Sequence, residues 1–297
     1  MSMSKDNNPW DYEPKSRQTT SDISKQEIVG KRIMKRITDH KKKFGGFIVE
    51  ITGAMGSGKS STLLHFADYL MRKYPHERNY FSNGYGIPFQ FQDIGTYEIF
   101  VKEGSGVQFF DRLTGKRKYL DVTYFKDFED LYQKTKHGVL TVPFFGKREE
   151  WRTFIGFLRE KQEFCNIYID EFSEIAPSYQ KADRWEDIGT FAIDLKECRK
   201  AFMNIFYNSQ STQDIDHRCR TKVGITIFLP GAHVPDKSVV YQKAVNNLPY
   251  DPINGNEAYI AQGGEFGVIH LPVIFENKTD EMTMAKQIIC PTDRERG

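Results

Sequence analysis

The sequence has no apolar run approaching the roughly 20 residues that a helix needs to cross a bilayer. Its start, MSMSKDNNPWDYEPKSRQ, lacks the apolar core of a signal peptide. A soluble, intracellular protein is the expectation. Cysteine is scarce: Cys165, Cys198, Cys219 and Cys290 lie far apart, with no CxxC pair. That spacing argues against zinc and for free thiols in a reducing compartment. Net charge is small as well, with 42 Lys and Arg against 40 Asp and Glu, a formal +2. Such a balance neither demands nor forbids a nucleic-acid partner, because local patches decide that question. Internal repeats are missing too. What is present is apolar material for a large core: 39% hydrophobic and 14% aromatic residues in 297 positions exclude a disordered chain.

Residues 1–22 are polar and read as a tail. The run ISKQEIVGKRIMKRITDHKKK (23–43) places Ile28 or Val29, Ile33 and Ile37 at helical spacing among Lys and Arg. It reads either as a surface helix with a solvated charged face or as a helix facing DNA or a subunit. Residues 1–44 thus stand apart from a domain spanning 45–297. Within that domain GGFIVEITG (45–53) reads as a buried strand. It leads to a helix with Leu63, Ala67, Leu70 and Tyr74 inward, ended by Pro75. Further strands are expected at 138–144, 164–170, 204–207 and 224–230. Helices are expected at 148–162 (Trp151, Ile155 and Leu158 inward) and along Ile188, Phe191, Leu195, Cys198 and Phe202. This alternation predicts an α/β fold, a mainly parallel sheet flanked by helices on both faces. Two β-hairpin insertions interrupt it. One lies in 84–136 around a turn at Thr114–Gly115, and one in 257–275 is broken by Gly263, Gly264 and Gly267.

GAMGSGKS, Gly53 to Ser60, fits G-x-x-x-x-G-K-[ST] between a predicted strand and a predicted helix. The glycines let the backbone curl so that its N–H groups face a phosphate at the positive end of the helix. Gly53, Ala54, Met55, Gly56, Ser57, Gly58, Lys59, Ser60 and Ser61 are therefore the candidate ATP-binding residues. Lys59 would reach the β- and γ-phosphates, and Ser60 would bind Mg2+. NIYIDEFSE (166–174) supplies a strand ending in Asp170, a second candidate Mg2+ group, with Glu171 beside it to deprotonate a water. Adjacent acids at a strand end also occur as helix caps, but a P-loop about 110 residues upstream favours the catalytic reading. A strand carrying both acids suggests hydrolysis of ATP. NIFYNSQSTQDIDHRCR (204–220) then starts as a core strand and turns polar at Asn208, Ser209 and Gln210. Either the strand simply exits into solvent, or Gln210 touches the γ-phosphate or the lytic water and reports on it.

These residues resemble a family. IDEFSEI looks like the D-E-F-A-D-L run of FtsK-type DNA translocases. CRKAFMNIFYNSQSTQDID is similar to the G-R-x-x-G-[apolar]-T-Q-R-P segment of the FtsK/HerA superfamily. The resemblance covers about residues 46–75 and 164–230, and Ser209, Ser211–Thr212 and Cys198 depart from the pattern. It implies a RecA/ASCE-like P-loop NTPase in which Gln210 is the sensor and Arg199 is a finger inserted into a neighbouring subunit, with Lys200, Arg218 and Arg220 as competitors. It also implies a homo-oligomeric ring, usually a hexamer, that moves double-stranded DNA. A single-motor chain without membrane spans looks most like the genome-packaging ATPases of membrane-containing icosahedral viruses. That implies a host-cytoplasmic or virion-associated protein docking on a capsid or membrane-vertex protein. The hairpin tip at Lys116, Arg117 and Lys118 and the basic N-terminal helix are the candidate DNA contacts. The alternatives are a Zot-like assembly or export ATPase and a slow nucleotide-binding switch.

Overall fold

Alternating strand and helix segments do build one large sheet. The computed structural model describes residues 21–39, 45–82, 86–87, 96–111, 114–178, 185–232, 257–271 and 283–289. The polar tail up to residue 20, the Lys41–Lys43 end of the basic run, Cys290, parts of 84–136 and residues 272–275 lie outside them. The elements in chain order are α1 (Ser21–Thr38), β1 (Ile48–Thr52), α2 (Lys59–Lys73), β2 (Arg78–Ser82) and β3 (Gly86–Ile87). Next come β4 (Tyr97–Lys102), β5 (Ser105–Asp111), β6 (Arg117–Lys118), β7 (Val122–Phe125), α3 (Phe128–Lys134) and β8 (Leu140–Phe144). Then follow α4 (Glu150–Lys161), β9 (Cys165–Ile169), α5 (Trp185–Glu197), β10 (Met203–Ser209) and α6 (His217–Arg220). The chain closes with β11 (Ile225–Phe228), β12 (Glu257–Gln262), β13 (Glu265–His270) and β14 (Thr283–Ile289).

Among the described residues the main sheet has the order β13-β12-β11-β1-β10-β9-β2-β8-β4-β7. Every pairing from β11 to β7 is parallel, and β12 and β13 add an antiparallel edge. The predicted hairpin around Gly115 forms from β5 and β6, in a second, antiparallel sheet with β3 and β14. Its flanking strands β4 and β7 belong to the main sheet instead.

The pleat sends alternate residues to opposite faces. Val49, Ile51, Tyr168 and Phe206 face α2, and the same buried layer continues to α1 over β12 and β13; Ile33, Ile37, Leu63, Ala67 and Leu70 are all buried in it. Ile48, Ile167, Ile169 and Ile205 face the other way, toward Trp151, Phe154, Ile188 and Phe191 of α4 and α5. Phe206 lies between Phe66 and Tyr168, 5.2 Å from each ring. That stack clamps α2 onto β10 and β9, and so fixes the helix that begins at Lys59.

Three sequence expectations shift. Ile28 is exposed, so Val29 and not Ile28 belongs to the inward stripe of α1. The α5 helix stops at Glu197, and Phe202 follows it in a turn with φ 57°, off the helical stripe. Gly267 does not break its hairpin; only Gly263 and Gly264 form the turn, at φ 55° and 85°. Gly267 instead marks where α1 crosses β13. A Cβ on it would lie 2.2 Å from the Gly30 nitrogen, and one on Gly30 would lie 2.0 Å from the Val268 oxygen. Backbone rests on backbone there, which only glycine permits.

Candidate active site

The register of three strands builds the site. β10 pairs with β1 on one side and β9 on the other, with Thr52 opposite Ser209 and Ile169 opposite Tyr207. The ends of β1, β9 and β10 therefore open together, delivering Gly53, Asp170 and Gln210 to one cleft. Ligands of open parallel sheets bind at such carboxyl ends.

The segment 53–58 turns tightly from β1 into α2. Gly56 and Gly58 have φ of 78° and 88°, a left-handed conformation that side chains resist. Gly53 approaches Ser57 so closely that a Cβ would sit 2.4 Å from the serine Oγ. Ala54 and Met55 lie exposed at the tip, Ser57 is buried, and Ser60 and Ser61 are half-buried in the first turn of α2. That turn carries no acidic residue, so nothing in it offsets the positive helix end. The Lys59 ammonium folds over the loop and donates to the carbonyl oxygens of Gly53 and Ala54 at 2.9 and 2.8 Å. Burial lowers its pKa, while Glu171 and Asp170 act in the opposite direction.

Across the cleft, Ser60 Oγ donates to Asp170 Oδ1 at 2.8 Å. Asn208 Nδ2 donates to the same carboxylate oxygen at 2.5 Å, and Asn208 Oδ1 accepts from the Glu171 N–H at 2.7 Å. Glu171 has φ 61° and ψ 70°, a strained conformation for a residue with a Cβ. It is held by Asn208 at its backbone and by Ser173 Oγ, which donates to Oε1 at 2.5 Å. Gln210 Nε2 lies 3.5 Å from Glu171 Oε2. The buried Arg152 of α4 donates to the Ile175 carbonyl at 2.6 Å, fixing the loop behind Glu171.

Asn208 is the residue that sequence reasoning passed over. It was visible only as the first amide after the apolar run, yet it touches both acids and lies within 3.5 Å of Ser60. Asn208 and Ser209 are both buried and still within β10, so a simple solvated exit does not describe them. Gln210 alone of the three is exposed.

Glu50 is the second unassigned group. It lies on β1 three residues before Gly53, only 3% exposed, and accepts a hydrogen bond from Ser209 Oγ at 3.1 Å. Burial pushes its pKa up to about 7, against the opposing effects of Ser209 and Arg220. In sequence it is just the one acid in a five-residue strand.

Arg199 is not part of this cleft. Its carbonyl accepts from the Gly46 N–H at 3.0 Å, before β1 begins. The seven residue steps from Gly46 to Gly53, at about 3.3 Å each, put it roughly 23 Å from the P-loop of its own chain. β10 is interior to the sheet, and Arg199 is exposed at its N-terminal end. The competing cations are occupied. Arg218 grips both oxygens of Asp216 at 3.0 and 3.1 Å and stacks on Trp185. Lys200 pairs with Glu197 at 2.9 Å, and Arg220 donates to the Thr212 carbonyl at 3.2 Å. At the β5–β6 tip, Lys116 and Arg117 are exposed, and Lys118 lies 3.7 Å from Asp111.

The donor set suits a small hard cation. Ser60 Oγ and Asp170 Oδ1 already sit in contact at the phosphate-facing end of the sheet, and oxygen donors of this kind are what Mg2+ takes alongside phosphate and water. No helix among the described residues is long and apolar enough to cross a membrane.

No protein-family model matches the chain, and no curated protein sequence matches it. Solved structures do. The genome packaging NTPase B204 from Sulfolobus turreted icosahedral virus 2, in complex with AMP, aligns at TM-score 0.50 and 15% identity, over 76% of this chain and 98% of that one. Its complex with AMPPCP aligns at TM-score 0.50 and 15% identity, over 78% and 99%. The pCW3 conjugation coupling protein TcpA, with ATPγS, aligns at 0.48 and 11% identity, over 80% of this chain and 63% of that one. The mainly parallel sheet and glycine-rich loop described above thus form the α/β fold of the P-loop NTPases, shared with a viral packaging NTPase.

Proposed function

We propose that the chain is an ATP-hydrolysing ring motor that moves double-stranded DNA, and that its task is to package a viral genome. The observation that carries the hydrolytic part is the single cleft in which Lys59 and Ser60 meet Asp170, Glu171, Asn208 and Gln210. Lys59 and the N-terminus of α2 neutralise the β- and γ-phosphates. Ser60 and Asp170 would hold Mg2+, which would supply positive charge against the phosphates. Glu171 takes the proton of the attacking water, its backbone latched in place by Asn208. Gln210, 3.5 Å from Glu171, senses whether that phosphate is present. Arg199, remote from its own cleft and without an ion pair among the described residues, completes a neighbour's site in a ring.

The DNA part of the reading is supported by the sequence resemblance and by a likeness in fold to a genome packaging NTPase. A triplex-displacement assay tests it. An oligonucleotide paired in the major groove of a long duplex should be stripped off only with hydrolysable ATP, and not by the Glu171→Gln chain. Steady ATP turnover without displacement would favour an assembly ATPase that moves protein instead.

A further inference from the structure

The P-loop occupies one end of β1. At the other end lies a cavity of about 800 Å3, walled by α1, the approach to β1, the end of α5 and the start of β11. We propose that this cavity is a second anion site, one that takes a compact organic phosphate of nucleotide size.

Charge is the first argument. Six cationic side chains line the cavity, and its one acid, Asp39, already pairs with Lys73 at 3.5 Å. Arg32 is matched by Glu265 at 2.6 Å. The other five, Lys35, Arg36, Lys196, Arg199 and Lys222, have no carboxylate within 4.0 Å among the described residues. Arg36 is steered by a neutral partner, donating to Gln262 Oε1 at 2.5 Å. The acids nearby are spent elsewhere: Glu197 on Lys200 at 2.9 Å, and Asp194 on Arg159 at 2.5 Å. In a chain with a formal charge of only +2, this concentration leaves mutual repulsion that a bound polyanion would relieve.

Shape is the second argument. The floor is apolar, built from Phe47, Ile48, Leu195, Cys198 and Ile225, while the cations come from α1 (Arg32, Lys35 and Arg36), from α5 (Lys196) and from the segments after α5 and α6 (Arg199 and Lys222). A concave, largely apolar site of this volume with a few convergent polar groups is the usual form of a small-molecule site. A nucleoside phosphate matches both parts, its base lying on the floor and its phosphates among the cations. Duplex DNA is a convex rod whose phosphates would meet the rim and leave the floor uncovered. The two ends of β1 would then each hold a phosphate-bearing ligand, roughly 17 Å apart.

Calorimetric titration of the full chain with ADP tests this, using Lys35→Glu and Lys222→Glu singly and together. Lys35 is exposed on α1, so that single variant keeps the test open if the pair folds poorly. The parent should bind two ADP per chain. Lys59→Ala should lose the P-loop event alone, and the cavity variants should lose the other. Each reversal should weaken the second event by on the order of tenfold or more, the worth of one charge-assisted contact. Inorganic triphosphate should compete at the cavity. A single ADP per parent chain would overturn the proposal. So would cavity variants that keep both ADP events but bind duplex DNA less tightly, which would make this face a nucleic-acid surface.

Discussion

Glu50→Gln should stabilise the protein above neutral pH, although it alters a fully buried group beside the P-loop. The carboxyl pKa rises from the ordinary 4.5 to about 7 because burial within the sheet desolvates the charge, which the hydrogen bond from Ser209 and the charge of Arg220 offset only in part. A raised carboxylate pKa means that the folded chain binds a proton more tightly than the unfolded one. Between about pH 4.5 and 7 the folded state therefore holds more protons, and stability falls as pH rises through that window. Each pKa unit is worth about 1.4 kcal/mol, so the ionised Glu50 costs the fold roughly 3 kcal/mol above its folded pKa. Glutamine keeps the shape and can still accept from Ser209, but never ionises. Urea unfolding of parent and variant at about pH 5 and about pH 8 isolates the effect as a difference of differences. The advantage of the variant should be small near pH 5, about 1 kcal/mol or less, and should grow by about 2–3 kcal/mol on going to about pH 8. An equal or larger deficit of the variant at the higher pH would show that Glu50 is held ionised by Arg220, and would refute this reasoning.

Other perturbations bear on the cleft and on the proposed ring. Lys59→Ala should abolish nucleotide binding at the P-loop, read by loss of a fluorescent ATP analogue; undiminished turnover would sink that assignment. Asn208→Ala removes the latch on both acids and should lower turnover on the order of a hundredfold, with a smaller change in nucleotide affinity. A proportional loss of both would make Asn208 a folding residue only. Arg199→Ala should bind nucleotide at the P-loop yet hydrolyse it on the order of 10³-fold more slowly or worse. Mixing it with Glu171→Gln chains should restore activity at sites that combine an intact Glu171 with a neighbour's intact Arg199. If mixed rings form and stay inactive, the finger is another residue.

The sequence disclosed most where one physical rule dominated. Glycine spacing around Gly53–Ser60, the apolar strand before Asp170, and the helical stripes of α2 and α4 each follow from local chemistry, and the parallel α/β sheet follows from their alternation. Pairings between distant segments were less legible. That β10 lies between β1 and β9 was reachable as a topology consistent with one sensor touching both motifs. That β4 and β7 join the main sheet while β5 and β6 leave it depends on long-range pairing that no local pattern encodes. The site residues that were missed share this cause. Asn208 and Glu50 look ordinary in a strand, and gain their roles from partners 38 and 159 residues away in sequence. Arg199 shows the converse: the family resemblance singles it out, but only the fold shows that it stands at the far end of the sheet from the P-loop, in a cationic cavity.

The rate of ATP hydrolysis with and without long duplex DNA tests the central claim most directly. A DNA motor should hydrolyse ATP faster when duplex is added, with the stimulation suppressed by salt because phosphate contacts release counterions. Gln210→Ala should retain ATP affinity but lose that stimulation. A basal rate that long duplex leaves unchanged, at low salt and with intact rings, would contradict the account.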